Sequence, residues 1–342
     1  MPRPTVNDLA KMAGVSLATV DRVLNARPGV REKTVRRVNL AIETLGYVRD
    51  VTAANLARQR SYRLVFVLPD APVQFVSTLR EAIAESLKSS VADRTEAKIV
   101  TFSNGNPHAL VKSLRALDAS DTDGVAIFAP ETPHVRDAIA RLKADGIPIV
   151  ALVSDLPNTG RDHFVGIDNI AAGRTAGFLM GKFIGNTSGS VMVLVSSMQA
   201  RDNVERRLGF DQVMAGSFPQ VDVLPSLENH DDEDVTTRLI TDMLRDRPDI
   251  VGIYAVGHGS RALVNVLRDH ERREAIILIG HELTQVTRDA LREDLMDAVI
   301  SQNVGHIVRS AFRVLRAKSD GLDIFSAQER IRIEIVVREN LI

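Results

Sequence analysis

Arg22 offers a rigid fork of guanidinium donors, a geometry that can pair bidentately with a carboxylate, a phosphate or the edge of a guanine. It lies in the run Leu17-Ala18-Thr19-Val20-Asp21-Arg22-Val23-Leu24-Asn25. Further on, Arg206 stands three residues before Gly209-Phe210, and Gly257-His258-Gly259-Ser260-Arg261-Ala262 spells the GxGxxA pattern by which a strand-to-helix turn can cradle a dinucleotide, with Glu282 about twenty residues later. That pattern is the sharpest sign of catalysis in the chain, pointing to NAD-linked oxidoreduction. It is weak alone, because it falls late in a series of strands and helices that another architecture explains. No Walker loop, HExxH or GxSxG run occurs, the eight histidines form no zinc-spaced cluster, and the absence of cysteine excludes disulfides, thiolate metal ligation and thiol catalysis. We therefore expect no enzyme, no cofactor and no metal.

The elements around Arg22 are readable from periodicity. Thr5 can cap a helix Val6–Ala13, whose Val6, Leu9, Ala10 and Ala13 keep the spacing of one buried face; Gly14-Val15 breaks it. Ser16 can cap a second helix, Leu17–Asn25, with Val20, Val23 and Leu24 inward and Leu17, Ala18, Thr19, Arg22 and Asn25 outward. After a loop containing Pro28-Gly29, a third helix runs from about Arg31 to Leu45 on Val35, Val38, Ile42 and Leu45. Two short helices about a tight turn, closed by a third, form a helix-turn-helix small enough to enter a major groove. Charge agrees: residues 1–60 carry eleven Lys or Arg against five Asp or Glu, while the whole chain has net charge −1. A basic head on an acidic body suits a segment that meets phosphates.

From Leu64 onward short apolar runs alternate with helical patterns: Leu64–Leu68, Ile99–Phe102, Val125–Phe128, Ile149–Leu152, Phe164–Ile167, Val191–Val195, Val221–Leu224, Ile250–Ala255, Ile276–Ile279, Ala298–Ser301 and Ile331–Val337. Such alternation predicts α/β architecture with doubly wound parallel sheets, and this number of strands predicts two lobes with a ligand cleft at the carboxyl ends of the strands. No apolar run is long enough to span a bilayer, and the N-terminus lacks a signal-peptide pattern, so the sequence reads as cytoplasmic.

The residues themselves resemble a family. TVNDLAKMAGVSLATVDRVLNARPGVREKTVRRVNLAIETLGYVRD, followed by VTAANLARQRS, is similar without a gap to the DNA-binding head and hinge of the lactose-repressor (LacI/GalR) family. The resemblance implies a transcription regulator with base-edge contacts from Leu17, Ala18 and Arg22, and phosphate contacts from Thr5, Ser16, Thr19, Asn25 and Tyr47. It also implies a hinge helix that orders on DNA and inserts Leu56 into the minor groove at the operator centre. Leu17 and Ala18 replace a polar pair found in some members and offer only apolar contact, for instance to a thymine methyl; packing alone is the other reading of this pair. Asp21 stands where a small hydroxyl residue is common.

In the body, GIPIVALVSD, HFVGIDNIAAGRTAGFLMGKFI, RRLGF and IGHELT resemble in order the landmarks of the periplasmic sugar-binding-protein fold that these repressors carry. The implied division is a DNA-binding domain 1–48, a hinge 49–61 and a ligand-binding domain 62–342. Lobe 1 takes about 62–166 and 303–327, lobe 2 about 167–302 and 328–342. Matching positions nominate Gln74, Phe75, Ser154, Asp155, Arg206 and Gln302 for a sugar or polyol effector, with Phe75 stacking on C–H groups. For Arg206 the residues alone also allow a surface salt bridge with Asp202 or Glu205. Where members often place Asn-Asp after the strand Ile250–Ala255, this chain reads VGHGS, so His258, Ser260 and backbone amides could instead admit an anionic or phosphorylated polyol. His281 and Glu282 could complete that site, or cap a helix or line a lobe hinge. The family mechanism implies a homodimer on a pseudo-palindromic operator.

Overall fold

The computed structural model describes residues 4–24, 28–45, 60–71, 73–89, 94–103, 106–257 and 260–341. The chain divides into two compact units, Met1–Arg60 and Ser61–Ile342.

The first unit contains α1 (Val6–Ala13), α2 (Leu17–Leu24) and α3 (Glu32–Leu45). Thr5 and Asp8 form a reciprocal capping box: Asp8 N donates to Thr5 Oγ1 at 3.3 Å, and Thr5 N donates to Asp8 Oδ2 at 2.7 Å. The helix ends on Gly14, whose φ of +61° lies in the left-handed region that a side chain disfavours. From α3, Arg37 donates to Ala13 O and, at 3.1 Å, to Gly14 O, fixing the turn from the other side of the unit. Ser16 Oγ accepts from Thr19 N at 3.2 Å and starts α2. Leu9, Ala10, Ala13, Val20, Val38 and Ala41 make the small core.

The second unit opens with β1 (Tyr62–Asp70), α4 (Gln74–Ser89), β2 (Thr95–Ser103), α5 (Pro107–Arg115), β3 (Gly124–Ile127), α6 (Pro133–Ala144), β4 (Ile149–Leu152) and β5 (His163–Val165). These strands form a parallel sheet in the order β2-β1-β3-β4-β5. The chain continues through α7 (Asn169–Ile184), β6 (Gly189–Val195), α8 (Arg201–Ser217), β7 (Val221–Glu228), α9 (Glu233–Asp246) and β8 (Ile250–Ala255). Then come α10 (Ser260–Arg268), β9 (Ile277–His281), α11 (Gln285–Arg292), β10 (Ala298–Gln302), α12 (Val304–Ser319) and β11 (Ile333–Val336). The second sheet has the order β11-β10-β9-β8-β6-β7, with β11 antiparallel to β10 and the other pairs parallel.

Helices cover both faces of each sheet, so β3 and β4 are buried along their whole length, as parallel strands must be. The chain leaves the first sheet after β5 for α7, which packs on β8, β9 and β10; it returns after β10 through α12, which packs on β3, β4 and α4; and β11 completes the second sheet. Among the described residues, eleven strands in two doubly wound sheets match the α/β expectation. Among the described residues, no helix is long and apolar enough to cross a membrane.

Candidate functional site

In the head, Leu17 is 49% exposed, Ala18 and Arg22 are exposed, and Val20 on the opposite face is fully buried. Leu17 is therefore not a core residue, which argues against the packing-only reading. Thr5, Ser16 and Thr19 spend polar groups on helix capping. Asn25, Tyr47 and Leu56 lie outside the described residues.

In the second unit the strand orders themselves locate a site. A crevice opens where consecutive crossovers leave a strand in opposite directions, at the carboxyl ends of the two strands flanking that switch. In the first sheet the switch lies between β1 and β3, and in the second between β6 and β8. Residues following these strands are Phe75 and Phe128 on one side, and Ser196, Ser197, Val256 and Gly257 on the other.

Arg206 on α8 is fully buried beneath the second switch. Its Nε donates to Asn169 Oδ1 at 2.8 Å, one Nη donates to Val256 O at 3.0 Å, and the other lies 3.4 Å from Glu282 Oε1. Gln302 Nε2 donates to the same Glu282 oxygen at 2.8 Å, and Asn169 Nδ2 donates to Val153 O at 3.3 Å. The chain of contacts Val153–Asn169–Arg206–Glu282–Gln302 thus links β4, α7, α8, β9 and β10, and it includes residues beside two of the passages between sheets. The surface salt bridge that the sequence allowed for Arg206 does not form: Glu205 pairs with Arg201 at 2.7 Å, and Arg206 turns inward to Glu282. A buried pair of this kind is held by its extra hydrogen bonds, here from Gln302 and to Asn169 and Val256.

The depth of Arg206 is set by its neighbour helix. A Cβ on Gly173 of α7 would stand 1.9 Å from Arg206 O, so α7 and α8 reach this spacing only with glycine there. Backbone strain marks the same region. Val153, a β-branched residue, has φ +63° at the end of β4, and buried Glu282 has φ +66° at the end of β9. Such conformations cost of order 1–3 kcal/mol each and persist only where the surroundings over-determine them.

Of the other nominated residues, Ser154 is buried, and Asp155 is held by the Arg161 guanidinium through both carboxylate oxygens. That carboxylate raises the Arg161 pKa above its ordinary value. Phe75 is 2% exposed and meets half-buried Phe128 edge-on, with centroids 6.3 Å apart, so it packs in the core instead of offering an open face. Exposed Gln74 accepts from Gln285 N at 3.2 Å, joining α4 of the first sheet to α11 of the second. His281 lies 2.7 Å from the Tyr254 hydroxyl, whose pKa burial pushes well up, and Tyr254 stacks on Phe210 at 4.4 Å. His258 lies outside the described residues, and Ser260 opens α10. Across the crevice, burial raises the pKa of Glu205 above the usual carboxyl range, opposed by Arg201 and reinforced by Asp155.

Sequence reasoning missed Asn169, Asn203, Ser196 and Phe128. The strand order would have found the last two, since both follow switch-point strands. A separate cavity of about 390 Å³, lined in part by Lys182, Asn186 and Gln220, sits beside the amino end of β6, away from all these groups.

Residues 5–50 match the family described as bacterial regulatory proteins, lacI family, and residues 64–323 match the periplasmic binding protein domain. The chain is 30% identical over 177 residues to the HTH-type transcriptional regulator DegA of Bacillus subtilis, covering 51% of this chain and 50% of that one. It is 29% identical over 211 residues to the sucrose operon repressor of Streptococcus mutans, covering 61% and 62% respectively. The alignments thus span less than two thirds of either relative. In fold, the second unit is similar to a solute-binding protein from Burkholderia graminis solved with D-arabinose, with TM-score 0.74 and 22% identity over 82% of this chain and 96% of the other. It is likewise similar to a LacI-type regulator structure from Bacteroides fragilis, with TM-score 0.71 and 18% identity over 82% and 98%. With a helix-turn-helix of that pattern ahead of a periplasmic-binding-protein body, the chain belongs to the lacI family of bacterial regulatory proteins.

Proposed function

We propose that the protein is a sequence-specific DNA-binding transcription regulator, a repressor in type, whose DNA affinity is set by a small polar effector bound between the two sheets of its body. The single observation that carries this reading is the pairing of an exposed Leu17-Ala18-Arg22 face on a capped helix-turn-helix with a buried polar network beneath the second switch point of the body. Sugars and polyols suit the body, because closely spaced Asn, Gln, Arg and carboxylate groups satisfy hydroxyls that would be costly to bury unpaired. The regulators and sugar-binding proteins to which the chain is similar support the same class. The acting species is a homodimer with 1–48 as its DNA-binding domain and 49–61 as its hinge, placing Leu56 at the centre of a pseudo-palindromic operator. Its lobes exchange near residues 167, 302 and 327. A DNA partner implies a cytoplasmic, nucleoid-associated protein.

The NAD-linked reading loses its support residue by residue. A Cβ on Gly257 would lie 2.9 Å from Ser196 N, so the first glycine of GxGxxA is explained by the neighbouring loop. Glu282, the candidate ribose ligand, is buried on Arg206 and Gln302.

Selection of duplexes from random DNA with the full chain tests the proposal. A two-fold-related site should emerge, and Arg22→Ala should relax preference at one position per half-site by about 1–3 kcal/mol. Recovery of no preferred sequence, or an Arg22→Ala profile identical to the wild type, contradicts it.

A further inference from the structure

The switch-point crevice is unequal in what it leaves unsatisfied. Glu131 follows β3 in the loop Phe128-Ala129-Pro130-Glu131, and its side chain is 9% exposed. Both of its carboxylate oxygens are buried and accept no hydrogen bond; Arg136 Nη1 stays 3.5 Å away on a guanidinium that is 41% exposed. Asn203 of α8 is 1% exposed and donates to Ser196 Oγ at 2.7 Å and Ser197 O at 3.0 Å, yet its Oδ1 accepts nothing. Gln302, 3% exposed, donates to Glu282 while its Oε1 accepts nothing. These groups belong to one region. Glu131 follows β3, Asn203 holds Ser196 in the loop after β6, and Gln302 ends β10, so all three stand at the carboxyl ends of strands of the two sheets, with Asp155 and its partner Arg161 after β4 beside them. A buried acceptor left without a hydrogen bond destabilises the site, more so when charged, so the bound molecule that relieves these groups must bring donors.

Three of the cations nearby are already engaged. Arg161 is on Asp155, Arg201 is on Glu205, and Arg206 is on Asn169, Val256 O and Glu282. A phosphate or carboxylate entering here would meet no uncommitted guanidinium among these three, and would face Glu131, Asp155 and Glu205 with like charge. The anionic or phosphorylated polyol that the VGHGS segment suggested is thus the class this crevice is least suited to hold.

We infer that Glu131 is an effector-contacting carboxylate, and that the effector is a polyhydroxylated molecule bearing a protonated amine, the ammonium on Glu131 and hydroxyl donors on Asn203 and Gln302. The carboxylate that the loop after β8 lacks is supplied from the opposite sheet. This inference rests on the effector reading proposed above.

The test is thermal unfolding of the full chain, wild type and Glu131→Gln, alone and with glucosamine and further amino sugars, glucose and galactose, and glucose 6-phosphate. Without additive, Glu131→Gln should melt no lower than wild type, because the neutral amide removes a buried charge that accepts no hydrogen bond and whose partner Arg136 stands 3.5 Å off on a 41% exposed guanidinium. An amino sugar should raise the wild-type midpoint, and Glu131→Gln should weaken its affinity at least tenfold. A lower midpoint for unliganded Glu131→Gln would make Glu131 a structural partner of Arg136 and overturn the inference. A neutral or phosphorylated sugar that binds both forms equally would overturn it too, while leaving the effector reading intact. No shift with any compound of the three classes counts against both.

Discussion

The head and the body use arginine in opposite ways. Arg22 lies exposed on a short helix of a unit whose core is six residues, whereas Arg206 is wholly enclosed and contacts residues 37, 50 and 76 positions away in sequence. An exposed side chain needs only a helix to orient it, so its role is decided locally. A buried one depends on every element that surrounds it, and its loss is felt as stability before it is felt as binding.

Arg206→Ala sharpens this contrast most. Removing one partner of a buried pair leaves Glu282 uncompensated, and we expect a loss of about 3–5 kcal/mol in denaturant unfolding of the body. A change below 1 kcal/mol would mean that Arg206 behaves like a surface ion pair. Gly173→Ala should come next. The added methyl meets Arg206 O at 1.9 Å, and separating α7 from α8 should cost about 1–3 kcal/mol while shifting the Arg206 backbone. If Gly173→Ala retains both wild-type stability and wild-type effector response, the helix spacing does not position Arg206. Thr5→Ala should be the mildest, about 1 kcal/mol from loss of the cap on α1, measured as a lower unfolding midpoint of the head with the body unchanged. An equal fall in both transitions would show that the two units do not unfold separately.

The same contrast explains what could be read beforehand. The three head helices, the caps at Thr5 and Ser16 and the outward face of Arg22 follow from spacing within a few turns, and the structure shows them at those positions. The strands of the body were legible as apolar runs, because strands buried on both faces carry little else. Family resemblance nominates Arg206 and Gln302, and the carboxyl end of a strand nominates Glu282, but their mutual contacts are not legible in the sequence. They depend on the order of strands in a sheet, which sequence does not display. Phe75 reads as a stacking face and is a core ring: as the second residue of α4 it joins the buried cluster that also holds residues of β1 and α12. Arg37 reads in the sequence only as positive charge, although it holds the turn between α1 and α2; a contact reaching 23 residues along the chain has no local signature. Glu131 carries no signal in the sequence, because a single acid in a loop resembles any solvated acid until its burial is known.

The central claim is that occupancy of the crevice around Arg206 changes how the head holds DNA. It is tested most directly by the affinity of the full-length protein for a selected duplex, at fixed salt, across a titration with a molecule that raises its unfolding midpoint. The account predicts a change in DNA affinity of about 5–150-fold at saturation, the usual range of coupling between two sites. An affinity that stays constant while the crevice fills would contradict it.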